Sequence, residues 1–260
     1  MTTQRLLDKV ALITGSDSGI GQASAAAFAG EGADLVVTYL HDADGAATTS
    51  RAVEAAGRRA VVVQVDISDE EQVARAFDRA IDTFGTVDIL MNNAGVDASG
   101  TEVADLSTEV WDTAIRTNVY GAFFCCRRFI QERRRRGGGG KIINVTSVHE
   151  DIPIIGGADY DCSKGALRNL TRTLALELAP LGINVNSLAP GMVLTPFNQP
   201  AIDDPALLDE QVQSIPMKRA AQPEEIARLA LFLASSEADY CTGSTFTMDG
   251  GLAQNIGQGA

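Results

Sequence analysis

Thr14-Gly15-Ser16-Asp17-Ser18-Gly19-Ile20-Gly21 follows the apolar, β-rich run Val10 to Thr14 and opens a small-residue helix from about Gly19 to Ala29. Glycines let a backbone turn tightly and approach a ligand, and a helix N-terminus offers free N–H groups and the positive end of its dipole. Strand, glycine turn and helix in that order make a seat for a pyrophosphate. The spacing is G-x-x-x-G-x-G, not G-x-G-x-x-G. A glycine turn alone is a weak sign, and its place between the first strand and first helix of a longer series gives it meaning.

That series runs the length of the chain. Strand-like runs occur at Asp34 to Tyr39, Ala60 to Val65, Val87 to Met91, Lys141 to Thr146, Ile183 to Leu188 and Ser244 to Met248. Helical stretches between them include Ala43 to Ala56, a long region from about Ser107 to Arg135, and Tyr160 to Ala179. Ser68, with Glu71 three residues on, has the form of a capping box, and Pro223 opens another helix with Glu224 and Glu225 in its first turn. In the Tyr160 helix, Leu167, Leu170, Leu174 and Leu178 share an apolar face, while Arg168 and Arg172 share another. Regular alternation of strand and helix predicts an α/β fold, a doubly wound parallel sheet with helices on both faces. No linker or repeat interrupts it, so a single domain over residues 1–260 is expected. The less regular stretch at about 191–222, rich in Pro, Asp and Gln, is a candidate substrate lid, its plainer reading being a solvated loop.

A net charge of −13 argues against nucleic acid as a partner. No apolar run is long enough to span a bilayer, and Met1 to Lys9 is polar, so no membrane partner and a cytoplasmic location are expected. Arg133 to Arg136 read as cations at a helix C-terminus, followed by the turn Gly137 to Gly140. Cys125, Cys126, Cys162 and Cys241 lack metal-ligand spacing and are expected as reduced, mostly packed thiols, with Cys125 and Cys126 pointing to different sides. With only His41 and His149, no metal site is expected.

Tyr160 and Lys164 stand one helical turn apart on one face, thirteen residues after Ser147. A cation favours the phenolate and lowers a tyrosine's pKa, which suits proton transfer to or from an alcohol or carbonyl. An interfacial tyrosine and a solvated lysine give the same spacing, so the rest of the chain decides.

The glycine turn, Asn92-Asn93-Ala94-Gly95, Asn118, Ser147, Tyr160-x-x-x-Lys164 and Pro190-Gly191 stand in an order that resembles the short-chain dehydrogenases/reductases over essentially the whole chain. The resemblance implies a Rossmann-type fold, a nicotinamide cofactor and a homotetramer. It implies that Tyr160 carries the proton, Ser147 hydrogen-bonds the reacting oxygen, Lys164 binds the nicotinamide ribose and depresses the tyrosine pKa, and Asn118 holds a water in the proton relay. It places Gly15, Ser18, Gly19, Ile20, Gly21, Tyr39, Asp66, Ile67, Asn93, Ala94, Gly95, Pro190, Gly191 and Thr195, with Tyr160 and Lys164, around the cofactor. Asp66 matches the adenine contact, Asn93 to Gly95 the adenosine ribose, and Thr195 the carboxamide.

The second strand ends at Tyr39, which neither repels a 2′-phosphate nor grips one, while Asp17, Asp42 and Asp44 add negative charge nearby. NAD or NADP is therefore left open, with use of both an expectation. Ser147-Val148-His149-Glu150, Thr195-Pro196-Phe197-Asn198 and Ile215-Pro216-Met217 resemble the glucose 1-dehydrogenase branch, which implies Asp97, Ser147, His149 and Asn198 as substrate contacts. His149 and Glu150 as exposed loop residues are the plainer reading. Asp151 to Gly157 lacks the bulky aromatics of that branch, so a wider pocket is expected. The resulting expectation is an NAD(P)-dependent oxidoreductase interconverting an alcohol and a carbonyl on a sugar or polyol. The alternatives are a carbonyl or 3-oxoacyl thioester reductase, for which no dedicated basic patch is present, and a non-catalytic nucleotide-sensing protein.

Overall fold

Val10–Ile13 (β1) lies near the centre of a seven-stranded sheet in the computed structural model, which describes residues 4–255. The other strands are Asp34–Tyr39 (β2), Ala60–Gln64 (β3), Ile89–Asn92 (β4), Gly140–Val145 (β5), Ile183–Pro190 (β6) and Thr245–Met248 (β7). Their order is β3-β2-β1-β4-β5-β6-β7, and every pairing is parallel. The chain winds outward from β1 in one direction and then, from β4, in the other. The crevice this reversal opens beyond the strand C-termini is where ligands bind in sheets of this kind.

Helices Gly19–Gly30 (α1), Ala43–Ala55 (α2), Glu70–Phe84 (α3), Thr108–Ile115 (α4), Ala122–Arg136 (α5), Ala158–Leu178 (α6), Gln199–Asp203 (α7), Pro205–Gln211 (α8) and Pro223–Ala234 (α9) complete the fold. Both faces of the sheet are buried. Ala11 and Ile13 join one apolar cluster with Phe28 of α1 and Ile226 and Leu231 of α9. Val10 and Leu12 join the opposite one with Phe77 of α3, Phe129 of α5, and Leu174 and Leu178 of α6. Alternate residues of β1 therefore serve opposite clusters, which is why the strand reads as a continuous apolar run. Residue 121 approaches Ile67 so closely that a Cβ there would meet its Cδ1 at 2.6 Å.

Several sequence expectations are corrected. The cap of α3 is Asp69, whose carboxylate accepts from the N–H groups of Glu71 and Gln72; the Ser68 hydroxyl instead donates to Asp66. The long helical region is broken by a wide π-type turn, Arg116–Gly121, between α4 and α5. Cys125 and Cys126 enter the same apolar cluster, because the buried face of α5 is broad enough to hold consecutive positions. Burial raises both thiol pKa values, Cys126 to about 12. Cys241 is half-buried and packs against the other cluster, so the thiols are mostly packed as expected, with Cys162 alone of the four exposed. Arg133 to Arg136 do occupy the last turn of α5 as expected, and of them Arg133 is buried and pairs with Asp88 at 2.9 Å. The stretch at 191–222 is largely ordered into turns and short helices, since Pro200 and Pro205 open α7 and α8 and Asp204 caps the latter. Its Val212, Ile215 and Ala220 form a small apolar cluster of their own.

Among the described residues no helix is long and apolar enough to cross a membrane, and no group of three potential ligand side chains could hold a metal ion. Phe129 is fully buried and packs against Gly140 at the start of β5. Phe129→Ala is expected to cost about 3–5 kcal/mol, read as a lower urea midpoint.

Candidate active site

The C-terminal ends of β1, β4, β5 and β6 converge on the glycine turn. Gly15 and Gly19 hold φ values of +60° and +51°, a backbone region that other residues rarely enter. A Cβ on Gly21 would meet the Gly15 carbonyl oxygen at 2.2 Å and Asn93 Nδ2 at 2.6 Å, so only glycine fits there. Ser18 precedes α1 without a side-chain capping bond, and the N–H groups of Gly19, Ile20 and Gly21 donate to no acceptor among the described residues. An open cradle of backbone donors at a helix N-terminus suits an anion.

The loop is held from below by hydroxyls that sequence reasoning missed. Thr14 Oγ1 accepts from the N–H groups of Asn93 and Ala94, and Thr38 Oγ1 accepts from Gly15 N at 3.0 Å. Ser16 Oγ donates to the Ile13 carbonyl and accepts from Thr38 N. Their only signal in the sequence is a short hydroxyl at each strand end beside the glycine turn. Asn93 donates its side-chain amide to the carbonyls of Thr14 and Gly15, which leaves that amide committed to the loop. Asp66 Oδ1 is similarly engaged, by the N–H and hydroxyl of Ser68, while Ile67 is buried and Tyr39 half-buried. Gly191 continues from Pro190 and is pressed against Asp249, and Thr195 packs over Gly19.

Ser147, Tyr160, Lys164 and Asn118 are all buried. The wide turn before α5 carries Asn118 inward, where Oδ1 accepts from Val96 N at 2.8 Å and Nδ2 donates to the Val96 carbonyl and to Ser163. Its side chain thus holds the backbone beyond β4 and is fully used. A Cβ on Gly95 would meet Asn118 Oδ1 at 2.9 Å and Lys164 Nζ at 3.7 Å, so these three lie together. Lys164 Nζ donates to the Val145 carbonyl at 3.0 Å and stands 5.3 Å from the centroid of the Tyr160 ring.

Burial sets the electrostatics. It pushes the Tyr160 phenol up to about 12, opposed by a hydrogen bond with Ser147 and reinforced by the charges of Asp97 and Asp161. It pulls Lys164 down to about 8, opposed by Asp97 and Glu150. Lys164 is not among the groups that set the Tyr160 shift, its ammonium being itself buried and bonded to the Val145 carbonyl. A neutral phenol next to a serine hydroxyl can give a proton to a carbonyl oxygen, and its phenolate can receive one from an alcohol.

His149 lies edge-on to Tyr160, with ring centroids 6.1 Å apart. Its Nδ1 meets the Ile152 carbonyl at 2.8 Å, and since a carbonyl only accepts, the proton belongs on Nδ1 and Nε2 is left as an acceptor. Asp97 is exposed, and its carboxylate accepts from Ala98 N. Asn198 is not brought to this group by any described contact, because its amide donates to the Val193 carbonyl within the turn before α7. Glu150, expected as a loop residue, is instead buried against α6 and β7. Ile155 is 91% exposed, in keeping with the absence of a covering aromatic residue.

A family model described as enoyl-(acyl carrier protein) reductase matches residues 15–253. Over 247 residues the chain is 43% identical to 3beta-hydroxysteroid dehydrogenase 1 of Eggerthella lenta, covering 95% of this chain and 94% of that one. It is 37% identical to glucose 1-dehydrogenase 2 of Bacillus subtilis, covering 95% of each. The crystal structure of a gluconate 5-dehydrogenase from Burkholderia cenocepacia, in complex with NADP and tartrate, superposes with a TM-score of 0.89 at 34% identity, covering 97% of this chain and 98% of that one. The chain belongs to the short-chain dehydrogenase/reductase family. It is an NAD(P)-dependent oxidoreductase that interconverts an alcohol and a carbonyl. The cradle at Gly15, Gly19 and Gly21, where the N–H groups of Gly19, Ile20 and Gly21 have no acceptor among the described residues, fits the pyrophosphate of such a cofactor. Gly21→Ala is expected to weaken cofactor binding at least about tenfold, as for any loss of roughly 1.4 kcal/mol, with an unchanged far-ultraviolet circular dichroism spectrum; titration calorimetry reads the loss.

Proposed function

We propose that the enzyme acts on a secondary alcohol of a sugar, polyol or related polyhydroxylated compound, with Tyr160, Ser147, Lys164 and Asn118 as its catalytic group. The observation that carries the reading is the buried grouping of Ser147, Tyr160 and Lys164 at the C-terminal edge of the sheet, with the Lys164 ammonium 5.3 Å from the centroid of the Tyr160 ring. When bound, the nicotinamide supplies the hydride acceptor or donor. Tyr160 transfers the proton at its phenolic oxygen, and its raised pKa keeps it a proton donor near neutral pH, which suits carbonyl reduction. Ser147 hydrogen-bonds the reacting oxygen and stabilises charge developing there. Lys164 holds the ribose hydroxyls, and Asn118 anchors the backbone beyond β4 that lines the site.

Gly15, Ser18, Gly19, Ile20 and Gly21 would hold the pyrophosphate, and Tyr39, Asp66, Ile67, Asn93, Ala94 and Gly95 the adenosine half. Pro190, Gly191 and Thr195 would flank the nicotinamide. Either NAD or NADP is accepted, since Tyr39 offers a 2′-phosphate neither a repelling carboxylate nor a cation. Asp97 and His149 present acceptors beside Tyr160, which suits a substrate with further hydroxyl groups, and the glucose and gluconate dehydrogenases among the relatives support this class. Residues 191–222 act as the lid, bringing Asn198 toward the substrate on closure. A homotetramer in the cytoplasm completes the reading, its assembly being measurable by light scattering.

A 3-oxoacyl thioester reductase is the second reading; the matching family model is described by a reductase of acyl chains, though one that acts on an enoyl double bond. A spectrophotometric screen of aldoses, polyols, ketones and a 3-oxoacyl thioester with both cofactors separates the two, and turnover of the thioester alone would overturn the first. Tyr160→Phe is expected to lower kcat by about 10²–10⁴-fold with cofactor affinity nearly unchanged; full retained activity would remove Tyr160 from its role.

A further inference from the structure

Asp159 and Asp161 stand on either side of Tyr160 in the first turn of α6, and each reaches a different segment of chain. Asp159 is 1% exposed, and burying a carboxylate is costly unless its oxygens are hydrogen-bonded. Its Oδ2 accepts from the N–H of Ser99, in the loop after β4, at 3.2 Å, and its Oδ1 accepts from the N–H of Tyr160 at 2.9 Å. Asp161 Oδ2 accepts from the N–H of Ile154, in the turn after β5, at 2.9 Å. Its Oδ1 is buried with no hydrogen-bond partner among the described residues. The two segments also press on each other, since a Cβ on Gly156 would meet the Gly100 carbonyl carbon at 2.7 Å.

These segments carry Asp97 and His149. The loop after β4 is held at Val96 by Asn118 and at Ser99 by Asp159, so Asp97 lies between two anchors. The turn after β5 is held at Ile154 by Asp161, and its Ile152 carbonyl is the partner of His149 Nδ1. Arg168, further along α6, ties the same turn at Glu150 and Asp151. Carboxylates in a first helical turn are favoured by the helix dipole whatever they touch. The dipole does not explain why one binds an N–H 60 positions away and the other an N–H 7 positions away, on two different segments. We propose that Asp159 and Asp161 are positioning residues of the active site: from either side of Tyr160 they clamp the loop that carries Asp97 and the turn that carries His149 to the catalytic helix, and so set the width of the substrate pocket. This rests on Asp97 and His149 serving as the substrate contacts argued above.

The two clamps differ in a way that a conservative substitution exposes. Asp159 uses both oxygens as acceptors, whereas an asparagine offers one acceptor and turns amide donors toward an N–H. Asp161 uses one oxygen, so an asparagine keeps its bond and gives up nothing at the other position. Amide hydrogen exchange, followed by NMR in the protein without cofactor, reads each clamp. Asp161→Ala is expected to speed exchange of the Ile154 amide by about tenfold or more, and Asp161→Asn to leave it unchanged. Asp159→Ala should speed the Ser99 amide by a similar factor, and Asp159→Asn should do so too and serves if Asp159→Ala does not fold. The chain has only two histidines, His41 and His149, so a nitrogen-15 histidine label follows the turn. The His149 signals should move in Asp161→Ala and stay in Asp161→Asn, while those of His41 stay in both. With the best alcohol or ketone from the screen above, both alanine variants should raise KM by about tenfold, lower kcat less, and leave cofactor affinity unchanged. Unmoved Ser99 and Ile154 exchange in folded variants would overturn the proposal. So would faster exchange with the His149 signals and KM unmoved, which would leave the carboxylates as stabilisers of the helix start alone. The exchange and histidine measurements need no turnover, so failure of the clamps is distinct from failure of the proposed substrate class, which shows as no turnover of any sugar or polyol.

Discussion

Asn93 donates its side-chain amide to the carbonyls of Thr14 and Gly15, and the Thr14 hydroxyl accepts from the backbone of Asn93 and Ala94. These bonds tie the ends of β1 and β4 together at the point where the winding of the sheet reverses. A parallel sheet whose halves wind away from each other leaves a crevice there, and without a tie its two walls could separate. The tie also crowds the glycine turn against β4, which is why a side chain at Gly21 has no room. The glycine cradle and the loop beyond β4 depend on this junction for their spacing.

Burial then decides the chemistry of what stands beside it. Removing a phenol and an ammonium from water disfavours the charged form of each, so the tyrosine pKa rises and that of the lysine falls. The two shifts bring a proton donor and a cation that loses its proton near pH 8 to one wall of the crevice. Such a pair is held by its surroundings more than by mutual attraction: Lys164 is bonded to a strand carbonyl, and the Tyr160 ring lies edge-on to His149. The carboxylates of Asp97 and Glu150 supply the opposing charge, one from the surface and one from the interior.

Much of the architecture was legible because its signals are local. β1, β2 and β5 are apolar runs bounded by turn residues, and Pro223 stands at the first position of α9 as its chemistry requires. Where neighbours compete, local signals misled. Ser68 and Asp69 are both able caps, and the neighbouring Asp66 took the serine hydroxyl. The π-type turn before α5 has no composition of its own, since it exists to carry Asn118 toward Val96, a residue 22 positions away. Glu150 reads as an exposed loop residue until α6 and β7 close over it.

The sequence by itself determined the parallel α/β order, the glycine turn and the family, because each rests on residue types at fixed short spacings. It also named the four residues of the candidate catalytic group, since their spacing along the chain is distinctive. Only the tertiary structure decided their electrostatic state, which depends on burial and on carboxylates brought from separate elements. It also decided that the Asn198 amide is held by the Val193 carbonyl, and that the Glu150 side chain lies inside. Spacing along a chain specifies local geometry, whereas solvent exclusion and through-space charge depend on which distant segments come to lie together.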